Sequence, residues 1–245
     1  MNKLHVGVKR AIEMPKGSFL YIDDEIPIHP KAKIFDVTRH SFNPLIGMDH
    51  KKAREIADLV YSVYPEGEAT LRVRDGRRAL FQALMKKPST LENVESQPFG
   101  KDKSNEVKET IDDLLGSPVV KRVLCEGKEF NFSTTNSKIF VRLNRKELGE
   151  FDALVLGLFL ISHYKKQLVI PKFGFYGRNI HTRLILENRL IAGVNFLGEL
   201  PARLRQTVAL IEDKVASGAT LEDAQLLADY AGISPSIKRD QHIIK

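Results

Sequence analysis

Residues 138–170 read KIFVRLNRKELGEFDALVLGLFLISHYKKQLVI, and this stretch decides the fold class. The short apolar run over 138–143 predicts a strand. Residues 147–164 predict a long, mostly buried helix, and 167–170 a second strand that halts at Pro171. Strands separated by a helix, and apolar on both faces, argue for an α/β fold with a mostly parallel central sheet flanked by helices. The apolar core of that helix, 153–161, lies between Asp152 and His163. It is far too short to span a bilayer and suits a buried helix.

The same alternation continues in both directions. Upstream, 19–22 is a compact strand ended by Asp23, Asp24 and Glu25, and 33–37 is a second one. Apolar residues at Ala53, Ile56, Ala57, Val60 and Val63 give a helical period over 50–64, stopped by Pro65 and Gly67. A further helix over 70–85 turns Leu71, Ala79, Leu80, Ala83 and Leu84 inward and shows Arg72, Arg74, Arg77 and Arg78 outward. Residues 86–105 are polar and loop-like, and helices are expected at 106–115 and 119–124. Downstream, helices are expected at 179–188 and 200–206, with strands at 190–196 and 208–211. Thr220 caps a last helix over 221–230, with Glu222 and Asp223 in its first turn. One α/β domain is therefore expected. Its core would be 19–69 and 130–232, with a helical insertion over 70–129 and a mobile tail over 233–245.

The chain has 245 residues, a net charge of +7 and a single cysteine, Cys125. One cysteine forbids an internal disulfide and a four-cysteine zinc site, and fits a reducing, cytoplasmic location. No signal peptide is visible in the first residues. The positive balance favours polyanionic partners through phosphate attraction. The seven histidines show no metal-ligand spacing, so no metal site is expected. No Gly-x-Ser-x-Gly elbow occurs, which disfavours an α/β-hydrolase.

His40-Ser41-Phe42-Asn43-Pro44-Leu45, after a strand ending at Asp36, resembles the segment that follows the second strand in the FtsK–HerA superfamily of P-loop ATPases. That group holds double-stranded DNA translocases, conjugative coupling proteins and viral genome-packaging motors. The later order is similar too, ending in Arg189-Leu190-Ile191-Ala192-Gly193-Val194, which resembles the strand bearing a sensor or arginine motif. The resemblance spans about 19–232. It implies a RecA-type core with a helical insertion, Asp23, Asn43 and Arg189 as remnants of a nucleotide site, and assembly as a homo-oligomer or with a partner ATPase subunit. A mobile element or virus is the setting it suggests.

The departures are sharper than the matches. A phosphate loop needs Gly-x4-Gly-Lys-Ser/Thr, so that backbone amides wrap the phosphates while Lys and a hydroxyl serve the γ-phosphate and Mg²⁺. No such string exists; Lys16-Gly17-Ser18 and Gly127-Lys128-Glu129 lack the spacing. The strand 168–170 should end in a Mg²⁺-binding acid, yet Pro171 and Lys172 follow. The segment 19–25, an apolar strand ending in acids, has the right form but precedes Asn43. ATP and Mg²⁺ are thus expected only if a partner or a further segment supplies the loop, and no catalytic residue is assigned.

Two basic clusters remain. Arg72, Arg74, Arg77 and Arg78 form one, and Arg74 and Arg78, four apart, share a helix face as either a solvated surface or a phosphate contact. The other runs Lys165, Lys166, Lys172, Arg178, Arg183 and Arg189 around Phe173-Gly174-Phe175-Tyr176-Gly177, beyond a strand end where α/β sheets place ligands. Arg72, Arg74, Arg78, Lys172, Arg178 and Arg183 are the expected DNA contacts. The competing expectation is a non-enzymatic structural or interaction protein that keeps only the fold.

Overall fold

The structure, a computed structural model, describes residues 3–6, 12, 14–29, 32–64, 70–96, 101–126, 128–132, 137–180, 189–209, 211, 213–216, 220, 222–223, 225–226, 237–238 and 241–244. The chain divides into two compact units. The sheet unit comprises Met1–Ile34, Phe132–Arg142 and Tyr164–Lys245, and the helical unit Phe35–Asn131 and Leu143–His163.

The sheet unit is built on β1 (Lys3–Val6), β2 (Phe19–Asp23), β3 (Ala32–Phe35), β6 (Lys138–Arg142), β7 (Gln167–Ile170), β8 (Arg189–Val194), β9 (Asp213–Ala216), β10 (Ile237–Lys238) and β11 (Gln241–Ile244). Their order across the sheet is β10-β11-β9-β1-β8-β7-β2-β6-β3. The six strands from β9 to β6 are all parallel, as expected for an α/β fold and consistent with a RecA-like core. Leu20, Ile22, Ile139, Val141, Leu168 and Ile170 are at most 1% exposed, and so are Phe19, Phe140 and Val169 on the alternate positions. Strands buried on both faces must be apolar at every position, which is why these read as continuous runs rather than alternations.

One face carries a cluster of Phe19, Tyr21, Phe140, Val169 and Ile191 covered by Ile12, with Met14, Ile26 and Ala32 packed around it. The rings of Phe19 and Tyr21 meet Phe140 with centroids 5.5 and 5.3 Å apart. Ile12 and Met14 belong to the connection from β1 to β2. Residues 7–18 are a dozen in all, which is the minimum for a parallel crossover and leaves no length for a phosphate loop followed by a helix. Among its described residues, Ile12 and Met14 pack on the sheet.

The helical unit holds β4 (His40–Ser41), α1 (His50–Ser62), α2 (Thr70–Leu84), α3 (Lys101–Leu115), α4 (Pro118–Cys125), β5 (Lys128–Glu129), α5 (Arg145–Leu148) and α6 (Glu150–His163). Asp49 caps α1 by accepting from the Lys52 amide at 2.7 Å, and Ser117 caps α4. Every residue of α6 from Val155 to Ser162 is buried, since a helix apolar on all sides has no face to offer water. Beside β4, Phe35, Phe42 and Phe130 form an aromatic knot, with ring centroids 5.2 and 6.0 Å from Phe35.

Several expectations are corrected. The helix expected over 147–164 is two helices, because Gly149 takes φ +86° and ψ 153° and ends α5. The expected strand 208–211 does not form there. Helix α8 (Ala202–Ala209) runs through it, burying Leu204 and Thr207 with Ile211 beyond, and the strand follows at β9. Strand β1 was not foreseen. The expected tail contributes β10 and β11, which extend the sheet beyond β9 in antiparallel sense. The expected helix 179–188 lies almost wholly outside the described residues. Among the described residues, no helix is long and apolar enough to cross a membrane.

Candidate functional site

The chain leaves β2 toward the β6–β3 side of the sheet, and it leaves the neighbouring β7 toward β8. Two adjacent strands whose carboxyl ends depart in opposite directions make the switch point at which open α/β sheets place their ligands. The register Phe19↔Gln167, Leu20↔Leu168, Tyr21↔Val169 brings Asp23 and Asp24 level with Pro171 and Lys172. Arg142, the last residue of β6, pairs in register with Asp23 from the other side.

Lys172 fills this crevice with its own charge. Its ammonium donates to Asp24 Oδ2 at 2.6 Å and lies 3.3 Å from Asp23 Oδ1. Partial burial works against the charged ammonium, but the hydrogen bond to Asp24 and the field of both carboxylates outweigh it and raise the Lys172 pKa. Asp23 is held in turn by the Asp24 amide at 2.8 Å and by the Tyr21 hydroxyl at 3.3 Å. Burial first, then the charge of Asp23 and the hydrogen bond to it, push the Tyr21 hydroxyl far above its ordinary value. Tyr21 therefore stays a neutral donor.

The turn carrying Lys172 is packed from below. Gly193 of β8 lies so close to the Pro171 carbonyl that a Cβ would collide with it. In α7 (Phe173–Gly177), Phe173 and Tyr176 are 1% and 4% exposed, Gly174 abuts Glu199, and Gly177 abuts Leu200. Glu199 accepts from the Asn195 amide at 3.1 Å and from its side chain at 2.7 Å. The buried Asp223 carboxylate accepts from the Leu197 amide at 3.0 Å. The aromatic-glycine string is thus a packed connection that fixes Lys172.

Of the expected remnant residues, Asp23 and Arg189 lie at different levels of the sheet. Asp23 ends β2, whereas Arg189 starts β8 level with Gln167 and Phe19. Four residues of strand, about 13 Å, separate those levels. Asn43 belongs to the helical unit and is fully used there. Its Oδ1 accepts from the Leu45 amide at 2.9 Å, and its Nδ2 donates to the Ser89 carbonyl at 2.6 Å. His40 Nδ1 accepts from the Asp36 amide at 3.0 Å, so the segment carrying the family resemblance is occupied by local packing.

No protein-family model and no curated protein matches the chain.

The expected DNA contacts divide. Lys172 is tied into the crevice as described. Arg178 is exposed, with its carbonyl accepting from Arg203 at 2.6 Å. Arg183 and the side chain of Arg72 lie outside the described residues. Arg74 and Arg78 are exposed on α2, and among the described residues neither has a carboxylate within ion-pair distance. Arg77 differs, because it reaches Asp58 of α1 at 3.4 Å. One turn along the same helix pair, the exposed Arg54 lies over the Phe81 ring, 5.8 Å from its centroid, and His50 meets that ring at 4.9 Å. Reading α2 alone missed Arg54. The available signal was its four-residue offset from Asp58, which repeats the offset of Phe81 from Arg77.

Proposed function

We propose that this chain is a DNA-associated protein on an ATPase-like framework that does not turn over ATP alone and depends on a partner for a complete nucleotide site. The carrying observation is the sheet's switch point, where Lys172 bridges Asp23 and Asp24 and takes the place a divalent cation would need beside those acids. A dozen residues between β1 and β2, without a Gly-Lys-Ser/Thr loop, supply no phosphate cradle. The exposed Arg74 and Arg78 of α2 and the charge of +7 support the DNA partner. A homo-oligomer or partner ATPase would complete the site, in a mobile element or virus.

Calorimetric titration with ATP and Mg²⁺, together with a DNA titration across a salt series, tests this. Absence of ATP turnover and DNA binding that weakens steeply with salt are expected. Mg²⁺-dependent turnover by the isolated chain overturns the inactive framework, and DNA binding absent at the lowest salt overturns the DNA partner. The second reading, a non-enzymatic interaction component, is favoured by the fully exposed Ile28 and half-exposed Ile34 beside the edge strand β3. Stable capture of a protein partner by a chain indifferent to DNA would select it.

A further inference from the structure

We infer that the α1–α2 face of the helical unit grips the phosphodiester backbone of DNA, and that Arg54, set in place by Phe81, is a contact residue alongside Arg74 and Arg78. This rests on the DNA-association reading and names the surface that would serve it. Arg74 and Arg78 stand one helical turn apart, so their Cα atoms are separated by about 6 Å along the helix, a spacing comparable to that of successive phosphates on one strand. Both are exposed, and among the described residues no carboxylate neutralises them.

The third cation is prepared differently. Arg54 lies over Phe81, whose ring is also braced edge-on by His50. A guanidinium resting on an aromatic face keeps its N–H edge outward and loses less side-chain freedom when it meets a phosphate. The Arg77–Asp58 ion pair joins the two helices and occupies Arg77. The spacing of Arg74 and Arg78 along one helix suits contacts to phosphates, the groups that position a protein on DNA.

Fluorescence anisotropy of the full chain with one sequence as duplex and as single strand, over a salt series, tests the assignment. Arg74→Ala with Arg78→Ala should lower the slope of log affinity against log salt by about two, and Arg54→Ala by about one. Phe81→Leu should weaken binding by about 2- to 5-fold, Phe81→Tyr should restore it, and Phe81→Leu should add nothing once Arg54 is alanine. Lys128→Ala, an equal loss of charge elsewhere on the same unit, should bind as the parent does. Thermal melts confirm that each variant is folded. Losses on both duplex and single strand are expected, because both present phosphates along the strand; a loss on only one of them overturns the backbone assignment. If the double arginine variant loses affinity while Arg54→Ala and Phe81→Leu do not, the role of Arg54 is overturned and the DNA reading stands. If the parent chain binds neither nucleic acid at the lowest salt, both fall.

Discussion

Lys172 shows how much one side chain can settle at the end of a strand. Because its pKa is raised in the folded chain, its contribution to stability is present in full below the unfolded lysine value of about 10.4 and is lost as pH climbs through the higher folded value. Half-exposed ion pairs of this kind are worth about 0.2–1 kcal/mol. Urea melts of the parent and Lys172→Met should therefore differ by less than about 1 kcal/mol at pH 7 and converge as pH climbs through the raised lysine value. A gap that persists unchanged at alkaline pH would mean that the side chain acts through packing instead. Gly193 makes the stricter demand. A methyl group there meets the Pro171 carbonyl, which is backbone and cannot swing aside. Gly193→Ala should cost about 1–3 kcal/mol through overpacking, read as a lower denaturation midpoint. The cation at position 172 was legible in the sequence as the wrong residue for a metal-binding strand end. Its partner was not, because Asp24 lies 148 residues away and a single sequence carries no trace of that distance being closed.

At the scale of elements, legibility followed length and apolar continuity. Strands β6 and β7 and helix α6 are unbroken apolar runs with clear stops; the two strands lie within a residue of their expected places, and α6 starts three residues late and ends one early. Strand β1 escaped because four residues, two of them Lys3 and His5, offer neither a run nor a clear boundary. The segment 208–211 was misread for a related reason: a run of four apolar residues fits a strand or the last turn of a helix, and only the burial of Leu204 and Thr207 on one side decides it. The break at Gly149 was likewise hidden, since glycine alone does not announce a positive φ. The observed φ of +86° with ψ near 150° is a region open essentially to glycine. Gly149→Ala should cost about 1–3 kcal/mol and shift the melting temperature downward. A variant as stable as the parent would show that the junction between α5 and α6 can relax into one continuous helix.

Across the whole molecule, the helical unit is assembled from two separate stretches, Phe35–Asn131 and Leu143–His163. The second stretch brings α6, whose buried face includes Val155, Leu156, Phe159 and Leu160. Residues 35–131 expressed alone would lack that helix, and we expect them to stay uncooperative in melts and prone to aggregate. A cooperative transition from that fragment would show that α6 is dispensable to it. This division was not visible beforehand, because the expected insertion at 70–129 was drawn where composition changes and not where the chain changes partners. A different consequence follows from β1. Its residues are synthesised well before both of its neighbours, since Lys3 pairs with Ile191 on one side and Asp213 on the other. At about 5–20 residues per second, the nascent strand waits roughly 10–40 s with both of its hydrogen-bonding edges open. A strand made long before its partners is among the last to be housed, which makes the newborn chain a natural client for whatever shields strands during translation.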